Sequence, residues 1–180
     1  MGTIFLRPYQ LSDAEQLLRL SLRNQLHFEY WMPVKPKPDS YTLPKQLERI
    51  EQMLENSLAD RSYAYGIFLT ETNQLIGEVS AAFVERFPAE TCMIGYQLDR
   101  EHNGKGIMAE AVRQAAKLLF ETHQFHRLRA EVMPENIGSI RVLEKVGFRR
   151  EGLAKKSLYI NGAWEDFILF ALLKEEFAPG

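Results

Sequence analysis

The sequence predicts a mixed α/β fold of the α+β type, in which a mostly antiparallel sheet of seven strands is flanked by about four helices. Three segments between residues 65 and 98 alternate apolar and polar side chains, as neighbouring antiparallel strands do. Asn161-Gly162 lies between two apolar runs and is the strongest short-range hairpin signal. Segments 108–119 and 136–146 repeat apolar residues at helical spacing, and each follows a strand pattern.

The first half of the chain is predicted to hold three strands after an opening strand and two helices. Arg7-Pro8 ends the opening strand, and Ser12-Asp13 offers a cap for the first helix. Three prolines between residues 33 and 38 forbid a regular element before the second helix. The predicted elements are a strand at 4–6, helices through 17–22 and 43–58, and strands at 65–69, 75–83 and 93–98.

The second half is organised around Gly104 and Gly106, which stand between a strand and a helix. Further on, Pro134 ends a strand, and Asn136 is placed to cap a helix that ends at Gly147. A single βαβ-like crossover and a final hairpin give the order β α α β β β α β α β β. The predicted elements are helices at 108–119 and 136–146 and strands at 128–133, 158–160 and 167–173.

Length and composition limit the classes of protein to which this chain can belong. The 180 residues contain 46% hydrophobic and 26% charged side chains, so we expect one domain spanning 1–180. A net charge of −2 argues against a dominant nucleic-acid-binding face. The single Cys92 excludes an intramolecular disulfide and a multi-cysteine metal site, so we predict no metal and a cytoplasmic location. No apolar run approaches the roughly 20 residues that span a bilayer, and no membrane partner is expected.

The glycine loop has two interpretations. Gly104 and Gly106 permit a close approach to the first turn of the following helix, whose free N–H groups and dipole favour a phosphate. A tight turn between strand and helix explains the same residues without a ligand. The loop is not a Walker A motif, and it lacks the third glycine of a dinucleotide fingerprint.

A second motif supports the phosphate interpretation. The run Asn136-x-x-Ser139-x-x-x-Leu143-Glu144-Lys145-Val146-Gly147-Phe148, with the glycine loop, Leu6-Arg7-Pro8, Leu75-Ile76-Gly77 and Asn161-Gly162-Ala163-Trp164-Glu165-Asp166, resembles the GCN5-related N-acetyltransferases. The similarity is to the RimJ/RimL-like branch, which acetylates the N-termini of ribosomal proteins, and it covers nearly the full length. It implies the GNAT fold, with the fourth and fifth strands splayed around acyl-CoA.

The resemblance implies acetyl-CoA as the cofactor and an amine as the acceptor. The acceptor expected first is the N-terminal α-amine of a ribosomal protein or peptide. A small-molecule amine, such as an antibiotic or polyamine, is an alternative on the same scaffold. A non-catalytic acyl-CoA-binding sensor is a third reading, because Leu143 stands where many relatives carry a tyrosine. A homodimer through Trp164 and the last strand is possible, although packing within the sheet explains those residues equally well.

The same resemblance assigns the cofactor-binding residues. Asn136 matches the residue that contacts the pantetheine arm, although its capping role explains it without a ligand. Glu101 departs from the family, where Gln or Arg is common, and we expect it to face solvent. The predicted cofactor contacts are Leu98, Asn103, Gly104, Lys105, Gly106, Ile107, Met108, Asn136, Ser139 and Arg141.

The catalytic residues implied by the resemblance are Ser139 and Glu131. Ser139 is expected to supply the proton for the departing thiolate, or else its hydroxyl bonds back to Asn136. Tyr159 and Tyr96 are the reserve candidates for this proton donor. Glu131 is expected to act as the base, or else to form a surface ion pair with a neighbouring arginine. Glu78 is the second candidate base, and water chains could replace either carboxylate. The predicted substrate-binding residues are Tyr30, Trp31, Glu78, Tyr96 and Tyr159; the loop aromatics among them could instead plug the core.

Overall fold

The computed structural model describes residues 3–178 and contains one seven-stranded sheet and, within those residues, five α-helices. The strand order is β1-β2-β3-β4-β5-β7-β6. The strands are β1 (Ile4–Pro8), β2 (Tyr63–Leu69), β3 (Leu75–Glu85), β4 (Thr91–Leu98), β5 (Arg127–Val132), β6 (Arg149–Ile160) and β7 (Ala163–Leu173). The helices are α1 (Ala14–Arg23), α2 (Gln25–Glu29), α3 (Leu43–Leu58), α4 (Ile107–Glu121) and α5 (Ile137–Val146).

The sheet is antiparallel except between β4 and β5, which are parallel and joined by the α4 crossover. The described ladder between these two strands runs only from Thr91 and Arg127 to Met93 and Arg129. After Met93, β4 continues to Leu98, and no further residue of β4 pairs with β5 among residues 3–178. The predicted mixed sheet is therefore confirmed, and its two central strands part at the end that carries the glycine loop.

Two cores cover the two faces of the sheet. On one face α4 buries the residues that its helical spacing predicted, including Val112, Ala115 and Leu119, together with Leu143 of α5. On the other face α1 and α3 bury a smaller core around Leu17, Leu20, Ile50 and Phe68. Full burial of one such aliphatic or aromatic side chain contributes about 1.5–3 kcal/mol, so both layers hold the sheet rigidly.

The prediction for β6 was wrong in length. It placed a strand at 158–160, whereas β6 starts at Arg149 and is twelve residues long. This strand lies at the edge of the sheet and pairs only with β7, so most of its side chains are exposed. An exposed edge strand tolerates charged residues and shows no apolar alternation, which removes the signal on which the prediction depended.

Two local predictions at the N-terminus also need correction. Asp13 does not cap α1; its carboxylate accepts two hydrogen bonds from Arg7, at 2.6 and 2.8 Å, and one from the Gln10 N–H. The short helix α2, which was not predicted, follows Asn24. The side chain of Asn24 donates to the Leu20 carbonyl and accepts from the Arg100 N–H, so it ties the end of α1 to the turn before the glycine loop.

The predicted hairpin turn between β6 and β7 is confirmed. Asn161 and Gly162 have φ values of +51° and +89°, the left-handed pair that a type I′ turn requires. Asn161 also donates from Nδ2 to the Tyr30 carbonyl at 2.9 Å, which joins the hairpin to the end of α2. Among residues 3–178, no helix combines the length and the apolarity needed to cross a bilayer.

Candidate active site

The glycine loop has the backbone conformation that its sequence predicts. Gly104 and Gly106 have φ values of +76° and +78°, a region that is strained for any other residue. Gly106 immediately precedes α4, and the first bond of the helix runs from the Glu110 N–H to the Gly106 carbonyl. The N–H groups of residues 107–109 therefore lie at the free end of a fifteen-residue helix, where an anion is favoured.

Two cations from α5 face the same loop. Arg141 and Lys145, one helical turn apart, both line the cleft in front of it. A Cβ placed on Gly106 would lie 3.5 Å from the Lys145 Nζ, so this ammonium stands directly before the loop. Lys105, in contrast, is exposed and donates to the Glu101 carbonyl at 2.9 Å, outside the cleft lining. Glu101 is exposed as well, as expected.

The cleft between β4, α4 and α5 has a volume of about 730 Å³. That size is within the range of small-molecule sites. Its loop end is cationic, while Leu98, Ile107, Met108 and Val142 supply apolar walls further in. All the predicted cofactor residues except Lys105 line it: Leu98, Asn103, Gly104, Gly106, Ile107, Met108, Asn136, Ser139 and Arg141. An anionic group attached to an extended, mostly neutral arm fits this arrangement.

A pair of hydroxyls spans the opening between β4 and α5. The Tyr96 Oη lies 2.7 Å from the Ser139 Oγ, and either hydroxyl can donate. Asn136 caps α5 as predicted, but it accepts from the Ser139 backbone N–H at 3.1 Å, so the alternative in which the serine hydroxyl bonds back to Asn136 is wrong. Burial raises the pKa of Tyr96 well above its ordinary value, more than the bond to Ser139 lowers it, so Tyr96 remains a neutral proton donor.

Glu131 lies on β5, outside the lining of the cleft. It is half-buried on β5, on the opposite side of the strand from the buried Leu128, Ala130 and Val132, and it does not line the cleft. The predicted ion pair with a neighbouring arginine is not the one observed, because Arg129 pairs with Glu85 at 3.1 Å. Its role as the base stays a prediction.

Glu78 is held by two groups that the sequence analysis missed. It is 8% exposed, and its Oε2 accepts from the Tyr9 Oη at 2.9 Å and from the Arg49 Nη2 at 2.8 Å. Burial, reinforced by the adjacent carboxylate, raises the pKa of Tyr9, which therefore stays protonated. In the β3–β4 register Glu78 stands opposite Gln97. Tyr9 and Glu78 are 69 residues apart, and no local pattern could have paired them.

A second cavity of about 460 Å³ lies on the other side of Gln97, beneath α3. Phe28, Met32 and Gln97 line both cavities, so the two cavities are neighbours at these side chains. The other residues that line the second cavity are mostly of polar or charged type: Ser21, Pro36, Ser40, Tyr41, Lys45, Gln46, Glu48, Arg49 and Gln52.

The predicted substrate-binding residues divide into two groups. Trp31 and Tyr96 line the cleft, and Glu78 reaches the second cavity through Arg49. Tyr30 and Tyr159 line neither cavity and are 58% and 56% exposed. Tyr30 packs edge-on against Trp31, and Tyr159 packs against the equally exposed Trp164. The structure thus places two of the five in the cleft, holds Glu78 against a residue of the second cavity, and leaves two on the surface.

No group of three or more metal-ligating side chains occurs within residues 3–178. Cys92 is fully buried in the main core, and burial raises the pKa of its thiol to about 12. A thiol with so high a pKa is a poor nucleophile, and Cys92 lines neither cavity.

Residues 3–149 match the sequence profile of the acetyltransferase (GNAT) domain. The chain belongs to this family. It is an acyltransferase, and the GNAT architecture accounts for both the parting of β4 and β5 and the glycine loop at their open end.

Similarity to individual GNAT proteins extends over almost the whole chain. A probable N-acetyltransferase of Bacillus subtilis, YjcK, is 44% identical over 97% of this chain and 96% of its own length. The crystal structure of the ribosomal-protein-S5-alanine acetyltransferase from Vibrio fischeri superposes with a TM-score of 0.91 at 34% identity, covering 99% of this chain and 97% of that one. Mycobacterium smegmatis RimJ, solved with a CoA disulfide, gives a TM-score of 0.91 at 30% identity, covering 97% and 84%.

Proposed function

We propose that this GNAT enzyme transfers an acetyl group from acetyl-CoA to the N-terminal α-amine of a protein or peptide, with ribosomal proteins as the first candidates. The observation that carries the proposal is the adjacency of two cavities that share Phe28, Met32 and Gln97 as lining residues. One cavity has a cationic end and contains a hydroxyl pair, and the other lies beneath α3 and is lined by charged and amide side chains. Such a pair suits two substrates that must meet at one point. Similarity to the ribosomal-protein-S5-alanine acetyltransferases of Vibrio fischeri and Escherichia coli supports a ribosomal protein as the acceptor.

The residues of the cleft fit acetyl-CoA. The free N–H groups at the start of α4, with Arg141 and Lys145, would hold its phosphates, and the apolar walls would hold the pantetheine arm. Bound there, the cofactor supplies an activated acetyl thioester. Asn136, whose Oδ1 is engaged by the Ser139 N–H, keeps its Nδ2 available as a donor to the arm.

Ser139 and Tyr96 would supply the proton that a departing thiolate requires. The two hydroxyls are 2.7 Å apart, so a proton given up by one is replaced through the other. Leu143, which replaces the tyrosine of many relatives, is fully buried and takes no part. The Tyr96 hydroxyl reaches the site from β4 instead of from α5. The sensor interpretation rested on the replacement of a tyrosine by Leu143, and Tyr96 offers a hydroxyl in its place.

The amine needs only modest activation. An α-amine titrates near pH 7.7–8.0, so a substantial fraction is neutral at physiological pH. Glu131 remains the first proposed base and Glu78 the second. Glu131→Gln and Glu78→Gln, compared through the pH dependence of kcat/KM, will assign the role. The ionisation of the amine shapes the acidic limb in every protein, so the base is identified by the variant in which kcat/KM falls and a second ionisation disappears from that limb. If neither variant changes the limb, water is the base.

Release of free thiol from acetyl-CoA tests the proposed function. The acceptors are peptides that begin with alanine or serine, the same peptides with a blocked N-terminus, and a polyamine. We expect turnover with free peptides and none with blocked ones. Turnover with the polyamine alone would favour the small-amine alternative. Calorimetric binding of CoA without turnover of any amine would favour the sensor.

A further inference from the structure

The second cavity contains a buried hydrogen-bond acceptor without a partner. Gln46 of α3 is 4% exposed and lines the cavity. Its Nε2 donates to the Ser40 carbonyl at 2.7 Å, whereas its Oε1 is buried and has no partner within residues 3–178. Exchanging the two amide atoms would place the oxygen against that carbonyl, so the orientation is fixed by its surroundings. Buried polar atoms are normally satisfied, and this one lacks a donor.

A set of donors lies one helical turn further along α3. The guanidinium of Arg49 also lines the cavity, and Glu78 engages its Nη2 at 2.8 Å. Tyr9 donates to the same Glu78 oxygen, so Glu78 is held in place and in turn holds the Arg49 side chain. Its Nε and Nη1 have no partner among the described residues and remain as donors. Residues at i and i+3 share one face of a helix, so Gln46 and Arg49 present an acceptor beside a donor.

We infer that Gln46 and Arg49 bind one peptide group of the acceptor substrate. The Gln46 Oε1 accepts the N–H of that group, and Arg49 donates to its C=O. The inference rests on the proposed N-acetyltransferase function and deepens it, because it selects acceptors that carry an amide. A polyamine has N–H groups but no carbonyl, so it could not accept a hydrogen bond from Arg49.

Replacing single peptide bonds by esters tests this inference. A tetrapeptide acceptor is prepared as the full amide and as three variants, each with one N–H replaced by an oxygen atom. With the wild-type enzyme we expect one of the three esters to lower kcat/KM about tenfold, mainly through KM, as the loss of one buried hydrogen bond does. In Gln46→Leu the amide falls to the level of that ester, and the difference between them shrinks to less than about twofold.

Gln52→Leu is the matched control. Gln52 lies on the same helix and lines the same cavity, but its Nε2 already donates to Glu55 and Asn56. We expect this variant to keep the tenfold preference for the amide. The KM for acetyl-CoA, measured in all three proteins, is expected to be unchanged. Gln46→Met, which removes the amide at similar length, replaces Gln46→Leu if the latter fails to fold.

Two results would overturn the inference while leaving the acetyltransferase function intact. One is acetylation of the peptide with no discrimination at any ester position, as expected if a water satisfies Gln46. The other is an amide preference that Gln46→Leu retains. Acetylation of a polyamine without acetylation of any peptide would overturn the proposed acceptor class as well.

Discussion

The two ends of the β4–β5 pair differ in how their polar groups are used. At the end where β4 pairs with β5, which we call the closed end, Arg86 makes two hydrogen bonds to Asp60, at 2.6 and 2.7 Å. Arg86 also donates to Glu90 and to the His123 carbonyl, and it lies over the Phe125 ring. At the other end, where the strands part beside the glycine loop and which we call the open end, polar groups face a cleft. They are the N-terminus of α4, the Lys145 ammonium and the Ser139–Tyr96 pair.

This difference shows how one sheet holds both a scaffold and a site. Strand pairing at Thr91–Met93 and the Arg86 cluster fix β4 and β5 at one end. The other end can then remain open without loss of the fold, and its backbone and side-chain groups stay available to a ligand. The predictions below separate the two ends by measuring stability and activity on the same variants.

The largest effect is expected at the hydroxyl pair. Ser139→Ala and Tyr96→Phe should each lower kcat about 100-fold, since loss of a general acid costs about 10²–10⁴ in rate. Because the two hydroxyls act as one relay, the double variant should be no slower than the slower single variant. The loss should be much larger in kcat than in CoA affinity, and both single variants should still unfold cooperatively in urea. Additive losses in the double variant would contradict the relay.

At the closed end the effect should fall on stability. Arg86→Met breaks a partly exposed cluster and leaves Asp60 without its main partner, so we expect a loss of about 2–3 kcal/mol in the free energy of unfolding. Arg150→Met is the control, because the Arg150–Glu144 pair is more exposed and should contribute only about 0–1 kcal/mol. Urea denaturation measures both. CoA affinity should be equal in the two variants.

A change in the glycine loop should lower CoA affinity rather than stability. Gly106→Val forces a β-branched side chain to φ +78° and crowds Lys145, so we expect CoA affinity to fall roughly 10- to 30-fold, the equivalent of about 1–2 kcal/mol. Gly152→Val is the control, since Gly152 lies on the exposed β6 strand with nothing near a new Cβ. Calorimetry with CoA checks this. Equal affinities in the two variants would contradict the role of the loop.

The smallest effect concerns pH. Burial, with the nearby Arg86 charge, lowers the pKa of His123, whose Nε2 lies 2.6 Å from the Tyr65 Oη. The unfolded chain therefore takes up the proton first, so the stability contributed by neutral His123 is present above pH 6.5 and is lost as the pH falls. The slope cannot exceed about 1.4 kcal/mol per pH unit. His123→Gln should flatten this slope between pH 7 and 5, as measured by urea denaturation at a series of pH values. An unchanged slope in that variant would contradict the assignment.

The sequence predicted those parts of the molecule that depend on neighbouring residues. The glycine loop, the Asn136 cap and the Asn161-Gly162 turn each arise from local backbone chemistry, and each is where it was expected. The succession of helices and strands along the chain, apart from α2, followed from the same local signals, and the mixed sheet followed from the crossover rule.

What the sequence did not predict depends on residues distant in the chain. Arg49 and Glu78 are 29 residues apart, and the cavity that Arg49 lines with Gln46 arises only when α3 packs across the sheet. Tyr159 was expected at the site, yet the edge position of β6 leaves it exposed. In α3 the spacing predicted a helix but not which polar residues would face a cavity.

Hydrogen exchange with and without CoA tests most directly the claim that the open end is the ligand site and the closed end the scaffold. The account predicts added protection in peptides covering residues 96–110 and 136–145, and no change in those covering 60–65, 86–93 and 123–129. Protection confined to the closed end, or none at the open end when calorimetry shows that CoA is bound, would contradict it.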